Sequence, residues 1–152
     1  MSVIRRLDHV AIAVRDTEAA LAGFRDVLGL AVLGSEEIES PPVRLTYIDC
    51  GNAMIQLVEP LREDIAVAEF LRANGEGLHH ICFGVDDVPA GAAALSPGGE
   101  APAAIGSGRE RPSAFVAGPT PCGVPVEVTE FRRREDVDGV AGWIPSREEG
   151  PQ

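Results

Sequence analysis

Four polar residues stand inside otherwise apolar stretches of this chain: His9 in LDHVAIAV, Gln56 in MIQLVE, His80 in HHICFGV and Glu127 in PVEVTEF. A buried polar group costs several kcal/mol unless it is satisfied. Such residues must therefore satisfy one another or share an ion. Two imidazoles, a carboxylate and an amide oxygen make a mixed N/O set that suits a divalent first-row metal such as Co, Mn, Ni, Fe or Zn. Four protein ligands leave positions of an octahedron open to water or substrate oxygens. An open site of that kind polarises a carbonyl and stabilises an enolate. A lone strand histidine is usually structural, so the case rests on the four residues as a set.

What makes them a set is an internal repeat. Sliding the second half back by 71 residues lays HHICFGVDD (79–87) on DHVAIAVRD (8–16), and PVEVTEF (125–131) on MIQLVEP (54–60). One offset serves both ends of each half without a gap, which marks a duplicated β-α-β-β-β unit. In this register His9 pairs with His80, and Gln56 with Glu127. Strand side chains alternate faces, so His80 shares a face with Cys82 while His79 points the other way, toward the surface or a supporting role.

The elements that must carry these residues follow from the pattern. HVAIAV (9–14) is a strand. Asp16 caps a helix in which Leu21, Phe24, Val27 and Leu28 recur at helical spacing and Gly29 closes the end. Strands follow at 30–37, 43–49 and 53–59, broken by Pro41-Pro42 and turned at Gly51-Asn52. Residues 64–73 form a connector helix with Ile65, Ala68 and Leu71 along one face. The second half repeats the order: LHHICFGV, a helix at 89–95 capped by Asp86-Asp87, a Gly/Pro-rich stretch with a short strand or loop, then PSAFVAG, the turn PTPCG and VPVEVTEF. The fold class is α+β. Residues 1–131 form one domain, with modules of about 6–60 and 77–131, and residues 132–152 are a tail, partly disordered or docked through Trp143.

The chain has 152 residues and a net charge of −11, which argues against nucleic acid as the main partner. All 13 basic residues are arginine, which removes lysine chemistry. Cys50, Cys82 and Cys122 form no CxxC pair and read as buried free thiols in a reducing compartment. No apolar run reaches a membrane span, MSVIRRLDHV lacks a signal-peptide layout, and a cytoplasmic protein is expected.

The duplicated unit, with its candidate ligands on first and last strands, resembles the vicinal oxygen chelate superfamily (glyoxalase/bleomycin-resistance/extradiol-dioxygenase fold). LDHVAIAV, GNAMIQLVEPL, GEGLHHICFGVDDV, IGSG (105–108) and GVPVEVTEF resemble the methylmalonyl-CoA epimerase family most closely, over about residues 6–131. The resemblance implies two tandem βαβββ modules forming a curved mixed sheet around a metal site. One divalent ion per chain would be held by His9, Gln56, His80 and Glu127. The reaction it implies is proton transfer alpha to a thioester carbonyl through a metal-bound enolate, on a small-molecule substrate such as an acyl-CoA, in a homodimer, with Glu127 doubling as a proton-transfer group. Glyoxalase I typically has Glu at the second ligand position.

Two departures from that family lie on the substrate side. Arg44 stands where the epimerase has a second catalytic glutamate, and arginine cannot act as a base. AGPTP (117–121) replaces its His-Pro-Lys. Glu37, Glu39 and Glu59 are the alternatives for a second base. Arg44, Arg109 and Arg111 are read as a phosphate- or carboxylate-binding set, although 109–111 also reads as a solvated loop and Arg132-Arg133-Arg134 as a solvated run. Beside the epimerase stand two other readings: another metal-dependent glyoxalase-fold enzyme (a lyase, hydrolase or ring-forming isomerase of a specialised pathway), and a metal-free ligand-sequestering protein.

Overall fold

The computed structural model describes residues 2–132. The expected tail from 133 onward, Trp143 included, lies outside the described residues. Eight strands and three helices follow the duplicated order: β1 (Ile4–Ala13), α1 (Thr17–Leu21), β2 (Ala31–Glu39), β3 (Pro42–Asp49), β4 (Met54–Pro60), α2 (Ala66–Asn74), β5 (Gly77–Val85), α3 (Val88–Leu95), β6 (Gly106–Gly108), β7 (Arg111–Phe115) and β8 (Val126–Glu130). The strands form one sheet in the order β2-β3-β4-β1-β5-β8-β7-β6. The sheet is mixed: β2/β3, β3/β4, β6/β7 and β7/β8 are antiparallel, and β5/β8 is parallel. The α+β class and the repeat are as the sequence reading expects.

Contacts group the described residues into two compact units, one of residues 10–79 and one of residues 2–9 with 80–132. The division differs from the sequence modules in that the start of β1 packs with the second half.

In the 10–79 unit, Val14, Leu21, Ile48 and Leu57 form the buried core, with Ile12, Phe24, Leu30 and Ile55 packed against it. Asp16 caps α1, its carboxylate accepting the Ala19 N–H at 2.8 Å. The continuous helix expected through Leu28 does not form. After Leu21 the chain widens into a π-helical segment, Ala22–Val27, where Leu28 N–H reaches Gly23 O. The wider winding shifts the helical phase, and Val27 and Leu28 are 80% and 64% exposed.

In the other unit, Val85, Val88, Ala92, Ala114 and Val128 form the core. Asp87 caps α3 through the Ala90 N–H at 2.7 Å. Gly91 lets this helix lie close on β5, since a Cβ there would sit 2.9 Å from Val85 Cγ2.

All three cysteines are free, but only Cys82 is buried; Cys50 and Cys122 are exposed. The expectation of three buried thiols is corrected because Cys50 closes β3 before a turn and Cys122 sits in the Pro121–Gly123 turn with a φ of 55°. Both positions belong to loops, which run over the surface.

Candidate metal centre

Strand pairing assembles the site. The parallel register of β5 and β8 sets Cys82 opposite Glu127, and alternation puts His80 on the face of Cys82. His9 arrives from β1. Its ring lies 5.6 Å from that of His80, at 72°. His9 Nε2 stands 3.5 Å from Glu127 Oε1, and His80 Nε2 stands 3.7 Å from the same oxygen. Phe115 of β7, opposite Glu127 in register, packs edge-on against His80 at 5.0 Å.

These three residues fit a metal. The ligand atoms of His9, His80 and Glu127 lie within 4.8 Å of one another, and both histidines are buried. His9 Nε2 is a buried nitrogen with no hydrogen-bond partner, a costly state for a polar atom unless an ion takes its lone pair. Burial pushes the Glu127 carboxyl up, but the adjoining His80 and His9 outweigh it and hold Glu127 below its ordinary value. Two imidazole nitrogens and a carboxylate oxygen suit Co, Mn, Ni, Fe or Zn.

Behind His9 lies a buried ion pair. Asp8 Oδ2 accepts the His9 Nδ1–H at 2.7 Å, and Arg109 Nη2–H donates to the same oxygen at 2.5 Å. Burial alone would raise the Asp8 carboxyl; the Arg109 guanidinium and the His9 hydrogen bond hold it below the ordinary carboxylate range. Arg109 and Arg111 are each only 2% exposed, so the solvated-loop reading of 109–111 is corrected. Burial, then the neighbouring Arg109, push Arg111 down to about 10. Arg109 and Glu110 form the two-residue turn between β6 and β7, with φ of 54° and 56°. A two-residue hairpin loop requires positive φ at both positions, which costs a non-glycine residue about 1 kcal/mol or more.

Gln56 is buried on β4 opposite Tyr47. Tyr47 O–H donates to Glu36 Oε1 at 2.9 Å, and Gln56 Nε2–H donates to Tyr47 Oη at 3.4 Å. The tyrosine oxygen thus faces the amide nitrogen, which leaves the Gln56 carbonyl oxygen for another partner.

Arg44 sits between two carboxylates, with its Nη2 2.7 Å from Glu37 Oε1 and its Nη1 2.7 Å from Glu59 Oε2. Both are cross-strand partners of Arg44 in register. Glu59 also accepts the Thr17 N–H at 3.1 Å. Glu37 and Glu59, two of the three alternatives for a second base, are thus tied to a guanidinium. His79 faces away from His80, with its ring 4.9 Å from Phe70.

Sequence reasoning missed Asp8 and Tyr47. Alternation hides Asp8, because neighbouring strand residues nominally face opposite ways. Tyr47 was within reach: the turn at Gly51-Asn52 sets it opposite Gln56.

Residues 8–116 match the family described as Glyoxalase/Bleomycin resistance protein/Dioxygenase superfamily. The ethylmalonyl-CoA/methylmalonyl-CoA epimerase of Cereibacter sphaeroides is 39% identical over 110 residues, covering 72% of this chain and 81% of that protein. Mitochondrial methylmalonyl-CoA epimerase of Homo sapiens is 40% identical over 86 residues, covering 56% of this chain and 49% of that one. The chain therefore spans between about half and four fifths of the length of the curated relatives it matches. Among solved structures, Streptomyces coelicolor methylmalonyl-CoA epimerase in complex with 2-nitronate-propionyl-CoA superposes with a TM-score of 0.76 at 34% identity, covering 84% of this chain and 97% of that one.

Proposed function

The chain belongs to the glyoxalase/bleomycin resistance protein/dioxygenase superfamily, and on that premise we propose that it is a metal-dependent epimerase of the methylmalonyl-CoA epimerase type. The observation that carries this is the convergence of His9, His80 and Glu127, whose ligand atoms lie within 4.8 Å of one another. In this reading Gln56, the repeat partner of Glu127, is the fourth ligand. When bound, the divalent ion supplies Lewis-acid stabilisation of the charge that builds on a thioester oxygen as the α-proton leaves. His9 and His80 hold nitrogen donors in a buried setting. Glu127, kept ionised by the two histidines, is in the basic form needed to move a proton at its Oε atoms. Phe115 flanks His80 edge-on.

The substrate is read as an acyl-CoA thioester with an acidic α-hydrogen. The relatives named as ethylmalonyl-CoA and methylmalonyl-CoA epimerases, and the Streptomyces complex with an acyl-CoA analogue, support it. Arg44 is the substrate-side cation in this reading, its side chain 38% exposed beside Glu37 and Glu59. Arg109 and Arg111 are both buried and Arg109 is paired with Asp8, so of the three arginines Arg44 is the one read as meeting substrate. A cytoplasmic homodimer completes the proposal.

The test is isotopic. Metal-loaded protein incubated with methylmalonyl-CoA in D2O should place deuterium at C2, and chelator-treated protein should not. No exchange with any 2-substituted malonyl-CoA would sink the epimerase assignment. One observation favours a second reading: Arg44 holds Glu37 and Glu59 in ion pairs, which leaves neither as a free base. Bound metal without α-exchange would favour a lyase, hydrolase or ring-forming isomerase on the same site.

A further inference from the structure

We propose, resting on the metal reading above, that Asp8 and Arg109 are positioning residues for His9. Arg109 fixes the Asp8 carboxylate, Asp8 accepts a hydrogen bond from His9 Nδ1–H, and the imidazole is held with its Nε2 toward His80 and Glu127.

The logic is one of donors and acceptors. An ionised carboxylate only accepts, and a neutral imidazole carries one N–H. The 2.7 Å contact between Asp8 Oδ2 and His9 Nδ1 therefore places a proton on Nδ1, and in the neutral ring that leaves Nε2 with its lone pair. Asp8 must stay ionised for this, and the same Oδ2 receives Arg109 Nη2–H at 2.5 Å. All three groups are buried, where an unpaired charge is costly, so each fixes the next. Arg109 is 101 residues from Asp8 in sequence and is delivered by a turn whose two residues both have positive φ. The positive φ at both residues is that of a two-residue hairpin turn, and it delivers the Arg109 guanidinium to Asp8. Support of this kind behind a ligating histidine fixes its tautomer and raises its basicity, and losing it typically costs about 10–100-fold in metal affinity.

Two measurements test the relay. In the metal-free parent with 15N-labelled histidine, long-range 1H–15N spectra should show a proton on His9 Nδ1. A neutral ring protonated on Nε2 and bare on Nδ1 overturns the proposal, whether or not a metal ever binds. In parallel, Co2+ titrations followed by visible absorption should give a Kd about 10–100-fold weaker for Asp8→Asn. Arg109→Met should be weaker as well, and the double variant no worse than Asp8→Asn alone, because the two act in series. Additive losses, or affinities within about twofold of the parent in folded variants, overturn it. Arg5→Gln, which breaks an exposed pair with Asp86, is the control and should leave Co2+ binding unchanged. A parent that takes no Co2+ yet shows the Nδ1–H tautomer removes the metal reading while leaving the relay intact, so the two claims fail separately.

Discussion

At the scale of single residues, the clustering of His9, His80 and Glu127 was legible through the repeat, and the contact of Asp8 with His9 was not. His9, His80 and Glu127 emerged from one offset because duplication places equivalent residues at equivalent strand positions. Asp8 did not, since nothing in an alternating pattern pairs a residue with its immediate neighbour. The buried Asp8–Arg109 pair has a consequence for acid stability. The Asp8 carboxyl sits below its ordinary value of 3.8 in the folded chain. A group with a depressed folded pKa contributes stability that is present above its unfolded pKa and is lost as pH falls toward the folded one. Metal-free Asp8→Asn should therefore be less stable than the parent at pH 7, by about 2–4 kcal/mol for a weakened buried pair. The difference should narrow as pH falls below about 4. Urea unfolding across that range checks it; a gap that stays constant with pH would show that Asp8 is not held ionised by its partners.

At the scale of elements, the succession of strands and helices along the chain and the helix caps were readable, and the order of strands in the sheet and the packing of helices on strands were not. Asp16 and Asp87 announce their helices by type and position, and both cap as expected. The π-helical segment after Leu21 could not be read from periodicity, because Leu21, Phe24, Val27 and Leu28 satisfy a 3.6-residue repeat that the wider turn then breaks. The buried hairpin of Arg109 was likewise masked by charge: two arginines flanking a glutamate look like a solvated loop until Asp8 is seen to receive one of them. Two thermal or denaturant measurements follow at this scale. Asp87→Ala should cost about 1 kcal/mol through loss of the α3 cap. Gly91→Ala should also destabilise, by about 1 kcal/mol net: the helix-propensity gain of alanine is about 1 kcal/mol, whereas a Cβ at 2.9 Å from the stiff Val85 side chain overpacks the α3–β5 contact at about 1–3 kcal/mol. A more stable Gly91→Ala variant would mean that α3 can lift from β5.

At the scale of the whole molecule, the duplicated α+β order and the superfamily were present in the sequence, while the division into contact units was not, since the first half of β1 packs with residues 80–132. No helix among the described residues is long and apolar enough to cross a membrane. Reading residues 1–131 as the functional domain predicts that a chain ended after Arg134 keeps the parent's Co2+ affinity; loss of binding would give the tail a part in the site. The homodimer of the proposal predicts a native mass of about twice the 16.0 kDa chain in sedimentation equilibrium. Elemental analysis of protein purified without chelator tests the proposed four-residue centre most directly. Roughly one divalent metal per chain in the parent, with marked loss in both Gln56→Ala and His80→Ala, is the result expected of such a ligand set. No metal in the parent after incubation with Co, Mn, Ni or Zn would contradict it.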